Sequence, residues 1–114
     1  MIKKSQLYLV LTKQWFTEIL EGRKTEEFRD FTDFYINRLC ELNEEGEIID
    51  TKKYDTVKFQ MGYSKNAPQM IVEIKDIIIE TDENVDLEKG DLLTTENCNF
   101  TILLGKILEK INID

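Results

Sequence analysis

Three ionisable side chains occur close together near the start of the chain: Lys24, Glu27 and Arg29. A lysine ammonium can bind phosphate or polarise a carbonyl group, and the planar guanidinium of arginine suits phosphate or the edge of a base. On a strand, Glu27 and Arg29 share one face, where the carboxylate can pair with Arg29 or accept hydrogen bonds from a base or sugar. The pattern predicts a site for a polar ligand. The alternative is a solvent-exposed cluster of salt bridges that contributes little.

A second candidate group lies on a predicted helix just downstream. Tyr35 and Arg38 are three residues apart, so both can project from the same side of that helix. An aromatic ring beside a guanidinium suits base stacking and phosphate contact. The alternative, which the sequence leaves open, is that Tyr35 belongs to the core and Arg38 pairs with Asp33 or Glu41.

The polar turn at residues 62–68 supplies further candidates. It carries the ring of Tyr63, the hydroxyl of Ser64, the ammonium of Lys65 and the amide of Asn66. This mixture suits the rim of a binding site, although an ordinary hairpin turn contains the same residue types. We expect Tyr63, Ser64 and Asn66 to contact the ligand and Lys65 to face solvent.

The hydrophobic pattern predicts the elements that position these residues. Strands are expected over residues 6–11, 24–31, 54–61, 69–80 and 100–111, helices over 13–21 and 32–42, and solvated loops over 41–50 and 81–97. Five or six strands with two helices in the N-terminal half predict an α+β fold, a small mixed β-barrel. The alternating helices and strands of a doubly wound fold are absent from this order.

Five local features sharpen this prediction. The first helix has one apolar stripe at helical spacing, formed by Trp15, Phe16, Ile19 and Leu20. Apolar residues on both faces of the first strand favour a central position in the sheet. Gly22 stands where a helix C-cap is needed, and Gly105 is a candidate β-bulge. Alternation in the second strand directs Phe28 to the core and Glu27 and Arg29 to the opposite face.

Length and composition exclude several classes of function. The 114 residues suit one domain, and the absence of histidine excludes His-dependent catalysis and His-ligated metals. Residues 82–86 imitate the start of a calcium loop, but Leu87 and Leu93 replace its required glycine and glutamate. We therefore expect neither a metal nor a cofactor.

Charge is unevenly distributed along the chain. The net charge is −8, but residues 73–96 carry −7 and residues 41–50 carry −5, which leaves +4 elsewhere. A local basic surface can therefore coexist with an acidic protein. Duplex DNA is not an expected partner, because it requires many contacts between basic side chains and phosphates.

The cysteine pattern and the lengths of the apolar runs predict the cellular location. Cys40 and Cys98 form no CxxC motif, which favours two buried thiols in a reducing cytoplasm over a disulfide. The apolar run at residues 7–11 is too short for a signal peptide or a membrane span. We therefore expect a cytoplasmic protein that does not bind membranes.

The segment Gly22-Arg23-Lys24-Thr25-Glu26-Glu27-Phe28-Arg29 resembles the G-x-K-x-x-E-x-R signature of the ASCH domain, a family of the PUA-like superfamily of small β-barrels. The segment Phe34-Tyr35-Ile36-Asn37-Arg38-Leu39 is similar to the aromatic-x-x-Arg-Leu stretch of a bacterial and phage branch. The resemblance spans nearly the whole chain and implies one PUA-like domain over residues 1–114. It also implies a cleft beside the signature strand that binds RNA or modified nucleosides, which some members hydrolyse.

The resemblance also bears on catalysis. In the related acetylcytidine amidohydrolases, a lysine at the position of Lys24 activates a threonine that stands at the position of Glu27. The nucleophile is therefore missing here, which disfavours acyl transfer through a threonyl enzyme. We expect a domain that binds single-stranded RNA, a nucleotide or a modified nucleoside. One alternative is a metal-independent hydrolase that uses Lys24 and Glu27 as a general acid–base pair, and another is a protein-interaction module with an acidic face.

Overall fold

The computed structural model describes residues 5–113 and has an α+β fold. In chain order its elements are β1 (Gln6–Leu11), α1 (Lys13–Leu20), β2 (Glu26–Asp30), α2 (Asp33–Leu39), β3 (Cys40–Leu42), β4 (Ile48–Thr51), β5 (Thr56–Met61), β6 (Gln69–Thr81) and β7 (Cys98–Ile111), with a short 3-10 turn at Leu87–Lys89 before β7. The predicted α+β class and the two helices in the N-terminal half are confirmed. The described residues form seven strands where five or six were expected, and the PUA-like barrel stays a prediction.

Five of the strands form one mixed sheet in the order β1-β5-β6-β7-β2, and β3 pairs with β4 in a separate hairpin. β1 runs parallel to β5, with Leu7 opposite Val57, whereas β5 runs antiparallel to β6, with Val57 opposite Val72. The predicted central position of β1 is wrong, because β1 stands at one end of this order. Its inward residues Leu7 and Leu9 are buried, while Tyr8 is 40% exposed.

The chain divides into two compact units. The first unit contains residues 5–27, 53–76 and 103–113, and the second contains residues 28–52 and 77–102. Each unit has buried apolar residues of its own. In the first unit they come from α1, β1, β5, β6 and β7, and in the second from β2, α2, β3, β6 and β7 and the residues beside them.

The end of α1 fixes the backbone that leads into β2. Gly22 has φ +78°, and its N–H donates to the carbonyl of Ile19 at 3.1 Å, while the N–H of Arg23 donates to the carbonyl of Glu18 at 3.0 Å. These two bonds form a Schellman motif, which requires a residue in the left-handed region at this position. The predicted cap at Gly22 is confirmed, and it sets the direction in which Lys24 leaves the helix.

The second unit differs from the prediction after α2. The helix ends at Leu39, so its predicted continuation to residue 42 is wrong, and residues 40–51 contain the β3–β4 hairpin where a solvated loop was expected. Asn43 stabilises the turn of this hairpin, since its side-chain oxygen accepts hydrogen bonds from the backbone of Glu45 at 3.0 Å and Glu47 at 2.8 Å. The hydroxyl of Thr51 donates to the carbonyl of Ile77 at 2.7 Å, which anchors β4.

Two predictions about β2 and β7 concern single residues. Phe28 is 52% exposed and Glu27 is only 5% exposed, so the prediction that Phe28 faces the core is wrong. Gly105 lies within β7, where a Cβ atom would come within 3.0 Å of the carboxylate carbon of Glu73. The Glu73 side chain therefore lies against Gly105 and would have to shift for a larger residue, and the predicted bulge stays a prediction. Neither α1 nor α2 has the length and apolar character that a membrane-crossing helix requires.

Both cysteines are buried thiols in the second unit. Burial raises the pKa of Cys40 and of Cys98, although a backbone hydrogen bond with Thr94 opposes this effect at Cys98. Because the thiolate is the reactive form, both side chains should react slowly in the folded protein. Since their folded pKa values lie above the unfolded ones, the buried thiols stabilise the fold fully below pH ~8.5, and that stabilisation is lost as the pH rises.

We predict that, in the folded protein at pH 8, both thiols react with a disulfide reagent at least ~100-fold more slowly than free cysteine does. After unfolding in guanidinium, both should react as fast as free cysteine. The measurement is the rate of thiol release against pH, with and without denaturant. One thiol that reacts in the folded protein at the rate of free cysteine would contradict the burial.

Candidate functional site

Lys24 and Glu27 form an ion pair in the first unit. The Lys24 Nζ atom lies 3.1 Å from the Glu27 Oε1 atom, and the two side chains are 17% and 6% exposed. The Schellman motif places Lys24 just after α1, and Glu27 follows on β2. The structure thus brings two of the predicted site residues together, and their contact with a ligand stays a prediction. Because both groups are largely withdrawn from water, each charge needs the other as its compensating partner.

Trp15 makes the second contact to this lysine. The Lys24 Nζ atom lies 4.2 Å from the centre of the Trp15 ring, within the range of a cation–π interaction. The sequence placed Trp15 in the apolar stripe of α1 with Phe16 and Ile19. Phe16 and Ile19 are buried, but Trp15 is 44% exposed. Trp15 is therefore a site residue that the helical pattern assigned to the core.

A cavity of about 330 Å³ opens beside Lys24, and we call it the Lys24 pocket. Its apolar lining consists of Ile19, Val72, Leu104 and Ile107. Lys24 and Lys106 add two cationic side chains to the lining. Gly22 and Gly105, which have no side chains, also border the space. The pocket thus combines an apolar wall with two groups that attract an anion.

Lys106 and Gly105 were not among the candidates that the sequence suggested. They come from β7, far along the chain from Lys24, and β7 lies next to β2 in the sheet order. The N–H of Leu104 donates to the carbonyl of Thr25 at 2.9 Å, and this bond sets the two segments side by side. No pattern local to either segment indicates that pairing.

Arg23, the residue before Lys24, has a different role. It is exposed, and its guanidinium pairs with Glu18 at 2.7 Å and also with Glu21 on α1. The hydrogen bonds to these two carboxylates raise the pKa of Arg23. Arg23 therefore binds back to the helix, and Lys24 is the basic residue of this segment that lines the pocket.

Arg29 and Tyr35 form a second pair, in the second unit. The Arg29 Nη1 atom donates to the Tyr35 hydroxyl at 2.8 Å, and the guanidinium carbon lies 5.5 Å from the ring centre. Phe34 meets the Tyr35 ring edge-on, with centroids 5.0 Å apart and planes at 88°. Phe34 is 65% exposed, so the aromatic pair presents one ring to solvent. The predicted residues thus come together as two pairs, one in each unit.

The remaining predicted residues lie apart from the Lys24 pocket. Arg38 is half-buried in the last turn of α2. Tyr63 is 87% exposed, and Ser64 and Asn66 are exposed beside it in the turn between β5 and β6. None of these four residues lines the pocket. Their contact with a ligand stays a prediction.

The two units differ strongly in net charge. The described residues of the first unit include nine basic and eight acidic side chains, a net charge of +1. The second unit includes four basic and 14 acidic side chains, a net charge of −10. The Lys24 pocket lies in the unit that does not repel an anion. Across residues 5–113 no group of three or more acidic or cysteine side chains is arranged to hold a metal ion.

We predict that Glu27→Gln lowers the free energy of unfolding by about 1–2 kcal/mol, because the substitution removes the charge that compensates Lys24 in a partly dry site. Urea unfolding at pH 7 measures the change. Glu26→Gln, one position earlier on β2, is the matched control and should change stability by less than about 0.5 kcal/mol. Equal effects of the two substitutions would show that the ion pair has no special role.

No protein-family model matches this chain, and neither the curated proteins nor the solved structures provide a match. The resemblance to the ASCH domain therefore stays a prediction that depends on the residues quoted for it.

Proposed function

We propose that this chain binds a nucleotide or a modified nucleoside, free or within single-stranded RNA, in the Lys24 pocket. The observation that carries the proposal is the composition of the pocket wall, with two lysines beside four large apolar side chains in about 330 Å³. A nucleotide has the matching chemistry, because its base presents flat aromatic faces to an apolar wall and its phosphate is anionic. The volume lies at the lower end of ligand-sized pockets, which suits one nucleotide and excludes a duplex.

Each element of the pocket has a part in such binding. Lys24 and Lys106 supply the positive charge for the phosphate, since ammonium–phosphate contacts are charge-assisted hydrogen bonds. Glu27 holds the Lys24 ammonium at one position, and Trp15 covers it from another side. The half-exposed indole adds an aromatic surface next to the phosphate site, and aromatic surfaces stack well with bases.

The resemblance to the ASCH signature also supports the proposal. It assigns Lys24, Glu27 and Arg29 to one functional strand of a PUA-like barrel, and we propose that family membership here. In this proposal Arg29, Tyr35 and Arg38 are RNA contacts of the second unit. Tyr63, Ser64 and Asn66 are exposed contacts for a longer strand. We further propose a cytoplasmic location, which the two buried thiols support.

Hydrolysis of the bound nucleoside or RNA is the second candidate function. One observation favours it: the carboxylate of Glu27 lies 3.1 Å from the ammonium of Lys24, and Lys24 lines the pocket. Such a pair can exchange a proton with a water molecule that attacks the ligand directly, without a nucleophilic side chain. Glu27 stands where the related amidohydrolases carry their threonine, so direct attack by water is the mechanism that these residues permit.

We predict that ribonucleoside monophosphates raise the melting temperature of the protein more than the corresponding nucleosides do, because only the monophosphates engage the lysines. Lys106→Ala should weaken binding about tenfold in titration calorimetry, and Lys24→Met should weaken it at least as much. Lys110→Ala, an exposed change on the same strand, is the control. An affinity that changes neither with Lys106→Ala nor with salt concentration would contradict the phosphate site.

We predict for the hydrolase alternative that incubation with N-acylated nucleosides or short RNA yields cleaved products in mass spectrometry. Glu27→Gln and Lys24→Met should abolish turnover because each removes one member of the proton-transferring pair. Glu26→Gln should retain it. Products that persist in both pocket variants would assign the activity to another site or to a contaminant.

A further inference from the structure

The second unit contains a groove that the proposed function does not use. It has a volume of about 740 Å³ and lies between α2, the β3–β4 hairpin and the segment that precedes β7. Its apolar lining includes Phe31, Ile36, Leu42, Ile48, Leu87 and Leu92. We call it the Leu92 groove. Leu87 is 57% exposed and Leu92 is 79% exposed, so two large apolar side chains border the groove in contact with water.

Acidic side chains stand among these apolar residues. Asp33, Glu47 and Asp91 line the groove, and the described residues contribute no basic side chain to its lining. The unit as a whole has a net charge of −10. An apolar floor with an acidic border complements a partner that has apolar and basic side chains on one surface, and it repels nucleic acid.

The wall that carries the two exposed leucines is held in place by its own hydrogen bonds. The Asp86 carboxylate accepts from the backbone of Glu88 at 3.0 Å, and the Asp91 carboxylate accepts from the backbone of Asp86 at 2.8 Å. The Asn97 side chain donates to the carbonyl of Leu92 at 2.8 Å. These bonds hold the backbone that carries Leu87 and Leu92, and a backbone arranged in this way lowers the entropic cost of binding.

The opposite wall is also ordered. The Asn43 side chain bonds the backbone of Glu45 and Glu47 and thereby fixes the hairpin turn, while Asn43 Nδ2 donates to the Glu47 carboxylate at 3.1 Å. Glu47 thus faces the groove from a defined position. Two ordered walls over an apolar floor match the mode in which a groove receives one face of a helix.

We propose that the Leu92 groove docks a basic amphipathic helix of a partner protein. Leucine-sized residues of the helix would enter the apolar floor, and lysine or arginine residues at its margins would face Asp33, Glu47 and Asp91. The charge of the lining favours a basic helix, because an acidic or neutral helix would leave these carboxylates uncompensated. This inference is independent of the nucleotide site, since it concerns other residues and the opposite sign of charge.

The test uses a synthetic helical peptide of leucine and lysine in amphipathic spacing as the probe, with the 114-residue chain labelled for amide NMR. We expect shifts confined to residues around the groove, such as Gly46, Leu87 and Gly90. Leu87→Ser/Leu92→Ser should weaken binding at least tenfold. Glu47→Lys should weaken it several-fold, whereas the matched charge change Glu109→Lys, outside the groove, should have a much smaller effect.

Peptide controls separate docking from simple charge attraction. A peptide with serine in place of leucine, and one with glutamate in place of lysine, should both fail to produce the groove shifts. The proposal is overturned if shifts spread over the whole acidic surface, or if Glu47→Lys and Glu109→Lys weaken binding equally. It is also overturned if the probe does not bind and the groove instead closes in a concentration-dependent dimer that Leu87→Ser/Leu92→Ser abolishes.

Discussion

A carboxylate that loses nearly all contact with water must be compensated by an opposite charge, and Glu27 is only 5% exposed. The ammonium of Lys24 supplies that charge at 3.1 Å. This constraint explains why β2 alternates in the phase opposite to the predicted one, because burial of Glu27 turns Phe28 outward. It also explains why Lys24 does not swing freely into solvent: the carboxylate holds it next to Trp15 and the pocket.

The Lys24 pocket depends on the backbone turn that places this lysine beside the cavity. Gly22 ends α1 in a left-handed conformation, so the chain turns at once toward β2. The adjacent β7 brings Lys106 and Gly105 to the same cavity. A local motif and a non-local strand pairing thus build one pocket between them. The acidic residues that give the chain its negative charge are concentrated in the second unit, where they border an apolar groove.

Much of the fold followed from sequence patterns. β1, β5, β6 and β7 alternate or run apolar over six or more residues, and their bounds came out within two residues of the predicted ones. The β3–β4 hairpin was not predicted, because its turn depends on the side chain of Asn43 and its strands are only three and four residues long. Such short segments carry too few residues for a period to show.

The site was predictable to the same degree. Lys24 and Glu27 were recognised from their spacing, and they do pair. Lys106 was not recognised, since its approach requires the register of β7 against β2, which no local pattern encodes. Trp15 was assigned to the core because its position in an apolar helical stripe is typical of a buried residue. The same position also suits a ring that covers a neighbouring side chain, as Trp15 covers Lys24.

Trp15 is also the only tryptophan of the chain, and its ring lies 4.2 Å from the Lys24 ammonium. Indole emission responds to nearby charge and to solvent, so the tryptophan fluorescence of this protein originates beside Lys24, one of the residues that line the pocket. A ligand that moves the Lys24 ammonium away from the Trp15 ring would change this fluorescence, and no added label would be needed. The molecule therefore contains its own optical probe for occupancy.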